Sequence, residues 1–325
     1  MDSFWQKLSK PLFVLAPMAD VTDPAYRKLI LETGAPDVFW TEFVSADGLH
    51  ATRTRGILTD SENPLMRDLQ FQKGEHPIVA QIFGSRPETI RYAATLAREL
   101  GFDGVDINMG CPDKAIEKQG AGASMMKHPE DAPAIIAAAK KSGLPVSVKT
   151  RIGYNRDEMD TWLPLLLQQD LAALTVHLRT RKEMSSVPAH WELAHRIVEL
   201  RDTYAPQTLM LGNGDIADKK DGLRKIVESG LDGVMLGRAI FGNPWLFTDR
   251  EYADVTPKER IEALLTLSTY FDELRPRKSF HIMKKHFKAF IKDWEGASTL
   301  RAELMECSNH AELAAVLGRA LELIY

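Results

Sequence analysis

Cysteine is scarce: Cys111 and Cys307 are the only two in 325 residues, and no CxxC or other paired spacing exists. That excludes a disulfide framework and a thiolate metal site, and it points to a reducing compartment. No run of about 18 apolar residues, the length a membrane helix needs, occurs anywhere. The start, MDSFWQKLSK, has no apolar stretch behind its basic residues. A soluble, cytoplasmic, metal-free protein away from membranes is expected. An excess of one charge is missing too. The net charge is −4, which argues against indiscriminate coating of nucleic acid but leaves room for a local basic patch. With 44% hydrophobic and 26% charged residues, and 17 prolines and 21 glycines spread along the chain, low-complexity disorder is excluded.

The length suits a large domain with a smaller companion. Eight runs rich in Val, Ile, Leu and Phe recur over the first 240 residues, at 12–19, 38–44, 77–84, 104–111, 145–153, 173–180, 208–215 and 233–238. Near-continuous apolar runs suit parallel strands covered by helices. The intervening segments carry helix signals. Ser85 and Glu88 have capping-box spacing before a helical apolar pattern that Gly101 ends. Pro129 opens AIIAAAKK, with two lysines at the negative dipole end, and Asp218 to Gly230 repeats the scheme. Eight such units predict an α/β fold, a (β/α)8 TIM barrel.

Chemistry in such barrels gathers where strands end. Those ends carry Pro17 and Met18, Glu42, Gln81, Asn108 with Cys111, Lys149 with Arg151, His177 with Arg179, Asn213 with Asp215, and Gly237 with Arg238. Any one of them is as readily an exit into solvent, and for Glu42 and Asp106 that reading stands level with the functional one. GNGD and GVMLGR put glycines and backbone amides after strands seven and eight, where an anion such as a phosphate binds; the alternative is tight turns alone. Cys111, between a strand end and the glycine-rich GAGAS, read as a mobile loop, is placed to exchange a proton. Cys307, in a helical stretch, reads as structural. Lys149 suits a Schiff-base amine or a cation facing a developing anion. His177 suits an acid, a donor to a ring, or a satisfied strand-end residue.

From 275 to 292 the chain reads RPRKSFHIMKKHFKAFIK, with seven basic residues and no acidic one. On a helical projection Phe280, Met283, Phe287, Phe290, Ile291 and Trp294 form a core stripe, and Lys278, Lys284, Lys285, Lys288 and Lys292 a basic arc. That arc is a solvated face or a grip on an RNA phosphate backbone. With helical stretches before and after, it predicts a small all-α bundle, so the chain divides at 1–250 and 251–325.

Together APMADVTD, TEFVSADGL, QIFGS, GVDINMGCP, VKTRIG, VHLRTR, GNGDI and GRAIFGNPW resemble, in order, the motifs of the tRNA-dihydrouridine synthase family, closest to its bacterial B-type members. The resemblance implies an FMN-binding barrel, a helical tRNA-binding domain, NADPH as reductant and uridine in tRNA as substrate. It implies that Ala16, Pro17 and Met18, with Gln81, Lys149 and His177, hold the flavin ring. Asn213, Gly214, Asp215, Gly237 and Arg238 would hold its phosphate chain. Asn108 and Arg151 would contact the uracil, and Cys111 would give the proton. Arg179 and Arg181, with Lys182 and with Lys284, Lys285 and Lys288, would grip the RNA backbone, and a monomer is expected. The pattern departs at Leu178, where the family has glycine. A side chain there alters the substrate channel if it points inward and little if outward.

Other readings are a flavin barrel acting on ribosomal RNA or free pyrimidines, as dihydropyrimidine or dihydroorotate dehydrogenases do, an aldolase with Lys149 as its amine, and a non-enzymatic RNA-binding barrel.

Overall fold

The computed structural model describes residues 3–323. Its strands are β1 (Leu12–Leu15), β2 (Phe39–Trp40), β3 (Val44–Ser45), β4 (Ile78–Phe83), β5 (Gly104–Met109), β6 (Val146–Arg151), β7 (Ala173–His177), β8 (Leu209–Asn213) and β9 (Gly233–Leu236). All pair in parallel, in the order β1-β9-β8-β7-β6-β5-β4-β2, and a bridge between Val14 and Val38 closes the ring. The eight predicted runs are therefore eight staves of a TIM barrel.

One run is not a single strand. Phe39 pairs with Ile78 but Val44 pairs with Ile82, so the second stave carries one extra residue against β4 and splits into β2 and β3. At the break the Gln81 amide donates to the Thr41 hydroxyl at 3.1 Å instead of to a ladder carbonyl.

Alternation along each strand builds two layers. Val105, Ile107 and Met109 of β5 face the helices. Inside, Leu12, Val14, Val38, Trp40, Val79, Ala173, Leu211 and Met235 form a separate apolar cluster. Trp5, from a 3-10 turn over Phe4–Lys7, belongs to that cluster, with its ring 5.7 Å from that of Trp40. Asp106, Ser147 and Gln81 sit within the barrel too, bonded to one another.

Several local expectations hold and two fail. Asp218 caps helix Lys219–Ser229 by accepting from the Asp221 amide, and Gly230 ends it at φ 76°. Ser85 does not cap helix Pro87–Glu99: its hydroxyl donates to the Gln119 carbonyl at 2.6 Å, and Arg86 occupies the cap with no side-chain bond. The GAGAS stretch is not an open loop. Ala121, Ala123 and Ser124 are buried, and Gly122–Lys127 forms a 3-10 turn packed on β5.

After the barrel, helix Pro257–Glu273 starts on a capping box between Thr256 and Glu259 and packs on helix Pro24–Thr33. Helices Lys284–Phe290, Ala297–Glu306 and His310–Leu323 follow. Met283, Phe287, Phe290 and Ile291 are fully buried, as the projection predicts, and the Tyr26 ring stacks on His286 at 5.2 Å. The basic arc is broken at Lys278. The helical turn starts only at Phe280, so Lys278 leaves the projected face and inserts its ammonium among Asp20, Asp23, Glu42 and Asp68. Among the described residues no helix is long and apolar enough to cross a membrane.

Candidate active site

At the C-terminal end of the barrel a cavity of about 550 Å³ is lined by Ala16, Pro17 and Met18 after β1, Lys149 and Arg151 of β6, and His177 of β7 with Arg179 beyond it. Asn213, Gly214 and Asp215 of the β8 turn and Gly237 and Arg238 after β9 complete those nominated from sequence. Its size lies within the roughly 300–1,000 Å³ typical of cofactor sites. A second cavity, about 780 Å³, lies outside the barrel against helix Lys219–Ser229. It shares only Ala217 and Arg238 with the first and holds none of the other nominated groups.

The walls are cationic because Lys149, Arg151, Arg179 and Arg238 line them and Asp215 is the one lining carboxylate. Lys149 Nζ donates to Asn213 Oδ1 at 3.0 Å, and Asn213 Nδ2 is in turn fixed by the Met235 carbonyl at 2.7 Å. Burial, then Arg151, lowers the Lys149 ammonium to about 8, which leaves it mostly protonated at neutral pH. Burial lowers Arg151 to about 10, still charged; its Nε donates to the Gly110 carbonyl at 2.8 Å. Burial, with Lys149, Arg151, Arg179 and Arg238 around it, holds His177 well below the usual imidazole range, so the ring is neutral. Arg179 Nη1 lies 3.2 Å from His177 Nε2. A guanidinium only donates, so Nε2 accepts and the proton sits on Nδ1.

Asp215 receives Arg179 and Arg238 on its two oxygens and the Ala189 amide at 2.9 Å, which holds its carboxyl below the usual range despite burial. Two arginines on one aspartate leave a net positive edge. The turn is tight: Gly214 has φ 119°, and a Cβ there would lie 2.9 Å from Ala189 Cβ and 3.0 Å from His177 Cδ2. Apolar Ala16, Pro17, Met18, Ile216 and Met235 share the lining with these donors. A flat ring with an anionic tail fits that set: apolar contacts and directed donors for the ring, glycine turns and surplus positive charge for the tail.

Gln81, Asn108 and Cys111 are not on the lining. Gln81 Nε2 donates to Asp106 at 2.6 Å, Asn108 Nδ2 donates to Gln81 Oε1 at 2.9 Å, and Asn108 Oδ1 accepts the Gly110 and Cys111 amides at 3.1 and 2.9 Å. This relay fixes which way each amide points and ends on the cysteine backbone. Asp106, pushed up to about 6 by burial, anchors its base with Ser147.

Cys111 is half-buried beside Pro112, which lines the cavity. Burial pushes its thiol up, ahead of the lowering pull of Arg151 and Lys149, so the proton stays on sulfur at neutral pH. Cys307 is buried in the helical region, as expected. Leu178 points outward: it is 0% exposed and belongs to the strand–helix layer, while its neighbour His177 lines the cavity. Lys288 is exposed; Lys284 and Lys285 are half-buried, and Lys284 Nζ donates to the Met305 carbonyl at 2.5 Å.

Met184, Ser185, Ile216, Ala217 and Met235 also line the cavity and are not legible from sequence. Met184 has φ 52°, a strained value for this residue type, and nothing in its sequence surroundings signals that.

The family model for dihydrouridine synthase matches residues 14–324. A protein of Staphylococcus aureus (strain Mu50 / ATCC 700699) named "Probable tRNA-dihydrouridine synthase" is 44% identical over 328 residues, 97% of this chain and 95% of that one. "Probable tRNA-dihydrouridine synthase 2" of Bacillus subtilis (strain 168) is 43% identical over 322 residues, 97% and 96% of the two chains. Among solved structures, a 2-naphthoyl-CoA reductase complex superposes with TM-score 0.50 at 9% identity, over 72% of this chain and 49% of that chain, a likeness of fold alone.

Proposed function

The chain belongs to the dihydrouridine synthase family, and we propose that it reduces the C5–C6 double bond of uridines in tRNA to dihydrouridine, with FMN in the strand-end cavity and NADPH supplying the electrons. The observation that carries this reading is a strand-end cavity lined by the buried cations Lys149 and Arg151, with Pro112 on its wall and the protonated thiol of Cys111 next to that proline. Two relatives over nearly the full length carry names that give tRNA as substrate.

Lys149, neutral His177 and the backbone from Ala16 to Met18 hold the ring, with Gln81 setting the relay beneath. Gly214, Gly237, Asn213 and the Asp215–Arg238 pair hold the phosphate end, where positive charge is in surplus. FMN bound there would supply the hydride chemistry for C6 of uracil. The Cys111 thiol, protonated beside the cavity wall, is the group that would deliver a proton to C5 of the uracil. Asn108 and Arg151 orient the base.

A stacked uridine cannot reach such a depth, so the nucleotide turns out of the RNA into the pocket. Residues 251–325 form the docking domain, with Lys284, Lys285 and Lys288 on its basic face and Arg179 nearer the cavity.

The test is mass mapping of tRNA lacking dihydrouridine after incubation with the protein, FMN and NADPH. A gain of two hydrogens at defined uridines supports the reading. A yellow protein that oxidises NADPH but leaves tRNA unchanged would move the substrate to ribosomal RNA or free pyrimidines. A colourless protein unable to turn over NADPH would end the flavin reading.

A further inference from the structure

Arg181 lies on the segment after β7, and Glu117 ends the short helix Lys114–Glu117 that follows Cys111. Arg181 Nε donates to Glu117 Oε1 at 2.9 Å and its Nη2 pairs with Oε2, a two-pronged contact whose planar geometry suits guanidinium and carboxylate. The same Nη2 lies 3.5 Å from the carbonyl of Pro112, the residue after the thiol. The Arg181 amide is tied to the Gly153 carbonyl at 2.9 Å, and the Tyr154 ring sits 5.4 Å from the guanidinium. Only 22% of the Arg181 side chain and 11% of the Glu117 side chain reach solvent. Water screens this pair less than a surface ion pair.

The inner side of the cysteine turn is held elsewhere. The Cys111 amide goes to Asn108 Oδ1, its carbonyl accepts from the Ala123 amide at 2.9 Å, and Ile116 packs on Phe83. On the outer side Asp113 caps only its own helix, and Asp113, Lys114 and Ala115 are exposed. The bond to Arg181 ties this outer turn to the segment after β7, across the end of β6, while the Ser85 hydroxyl holds its far end at the Gln119 carbonyl.

We infer that Arg181 and Glu117 are positioning residues: a strut between two strand-end loops that sets where the Cys111 thiol stands over the cavity, rather than Arg181 serving as a cation for the RNA backbone. The inference rests on the reading that Cys111 delivers the proton. Its first readout is independent of turnover.

The experiment measures alkylation of Cys111 by iodoacetamide, followed by peptide mass mapping, in the flavin-loaded protein without tRNA. Variants are E117Q, R181M and the swapped pair E117R/R181E. Either single change should speed alkylation several-fold and slow uridine reduction in a single turnover by about tenfold to a hundredfold, the scale of a sub-ångström to ångström misplacement. Flavin content and tRNA affinity should hold, and the swapped pair should restore both rates in part.

Unchanged alkylation in E117Q and R181M would overturn the strut. So would a loss of tRNA affinity in R181M alone, with its salt dependence reduced by about one phosphate contact. If alkylation responds as expected but neither variant nor parent protein reduces uridine, the strut stands and the functional reading fails.

Discussion

Lys278 Nζ lies 2.7 Å from Glu42 Oε2, joining the segment between helices Pro257–Glu273 and Lys284–Phe290 to the end of the second barrel stave. With 4% and 6% of their side chains exposed, the two form a buried contact between distant parts of the chain, and Asp20, Asp23 and Asp68 surround the same ammonium within 3.7 Å. Asp20 belongs to the loop that carries Met18, so this contact couples the C-terminal helices to a wall of the cavity.

Lys278→Met should therefore destabilise the protein by about 3–5 kcal/mol, the cost of leaving buried carboxylates without their cation. Burial pushes Glu42 up to about 7 against the pull of Lys278, and raises Asp23 as well. Groups raised on folding contribute stability that is present at low pH and lost as pH rises through the folded value. Urea denaturation of the variant should then show a smaller loss at pH 5.5 than at pH 8. An equal loss at both would mean that these carboxyls do not take up protons.

Cys111→Ala should lower single-turnover reduction of uridine by about 10² to 10⁴, the range for removal of a general acid. NADPH oxidation with dioxygen as acceptor should continue, because hydride transfer to flavin does not use the thiol. Loss of both together would place Cys111 in the flavin site.

On the proposed mechanism the working form has Lys149 charged and the Cys111 thiol protonated. Burial lowers Lys149 to about 8 and pushes Cys111 up. The rate of uridine reduction should be flat from pH 6 to 7 and fall above about 8 as the ammonium is lost. His177, already neutral, adds no acidic limb. A stopped-flow profile that declines below pH 6.5 would show a group taking up a proton in the working form, and a His177→Gln variant that keeps the decline would assign it to Asp106, which burial pushes up to about 6.

Lys288 is exposed on the helix that carries Lys284 and Lys285. Lys288→Glu should weaken tRNA binding and reduce the salt slope by about one or two contacts, with flavin content unchanged. Filter binding at several salt concentrations checks this; unchanged affinity and slope would move the docking face away from this helix.

Much was legible in the sequence because strand ends in this fold are also site positions. Eight apolar runs gave eight staves, and residues at the ends of the first, fifth, sixth, seventh and eighth line one cavity, whereas Gln81, Asn108 and Cys111 stand behind its wall and Glu42 pairs with Lys278. The period of two along a strand is local physics, so it decides which residues share a face before any packing is known.

What the chain sequence left open depended on partners far away. Leu178 reads the same whether it faces cavity or helix; only barrel closure, with His177 lining the cavity, turns it outward into the apolar layer. Asp106 became the anchor of a relay because Gln81 and Ser147 lie on adjacent staves. Lys278 was drawn from a basic arc into a nest of four barrel carboxylates, and Arg181 was paired with a glutamate on another loop. Local pattern determines which faces exist; which charge meets which is a property of distance, and distance between remote segments is set only when the chain is folded.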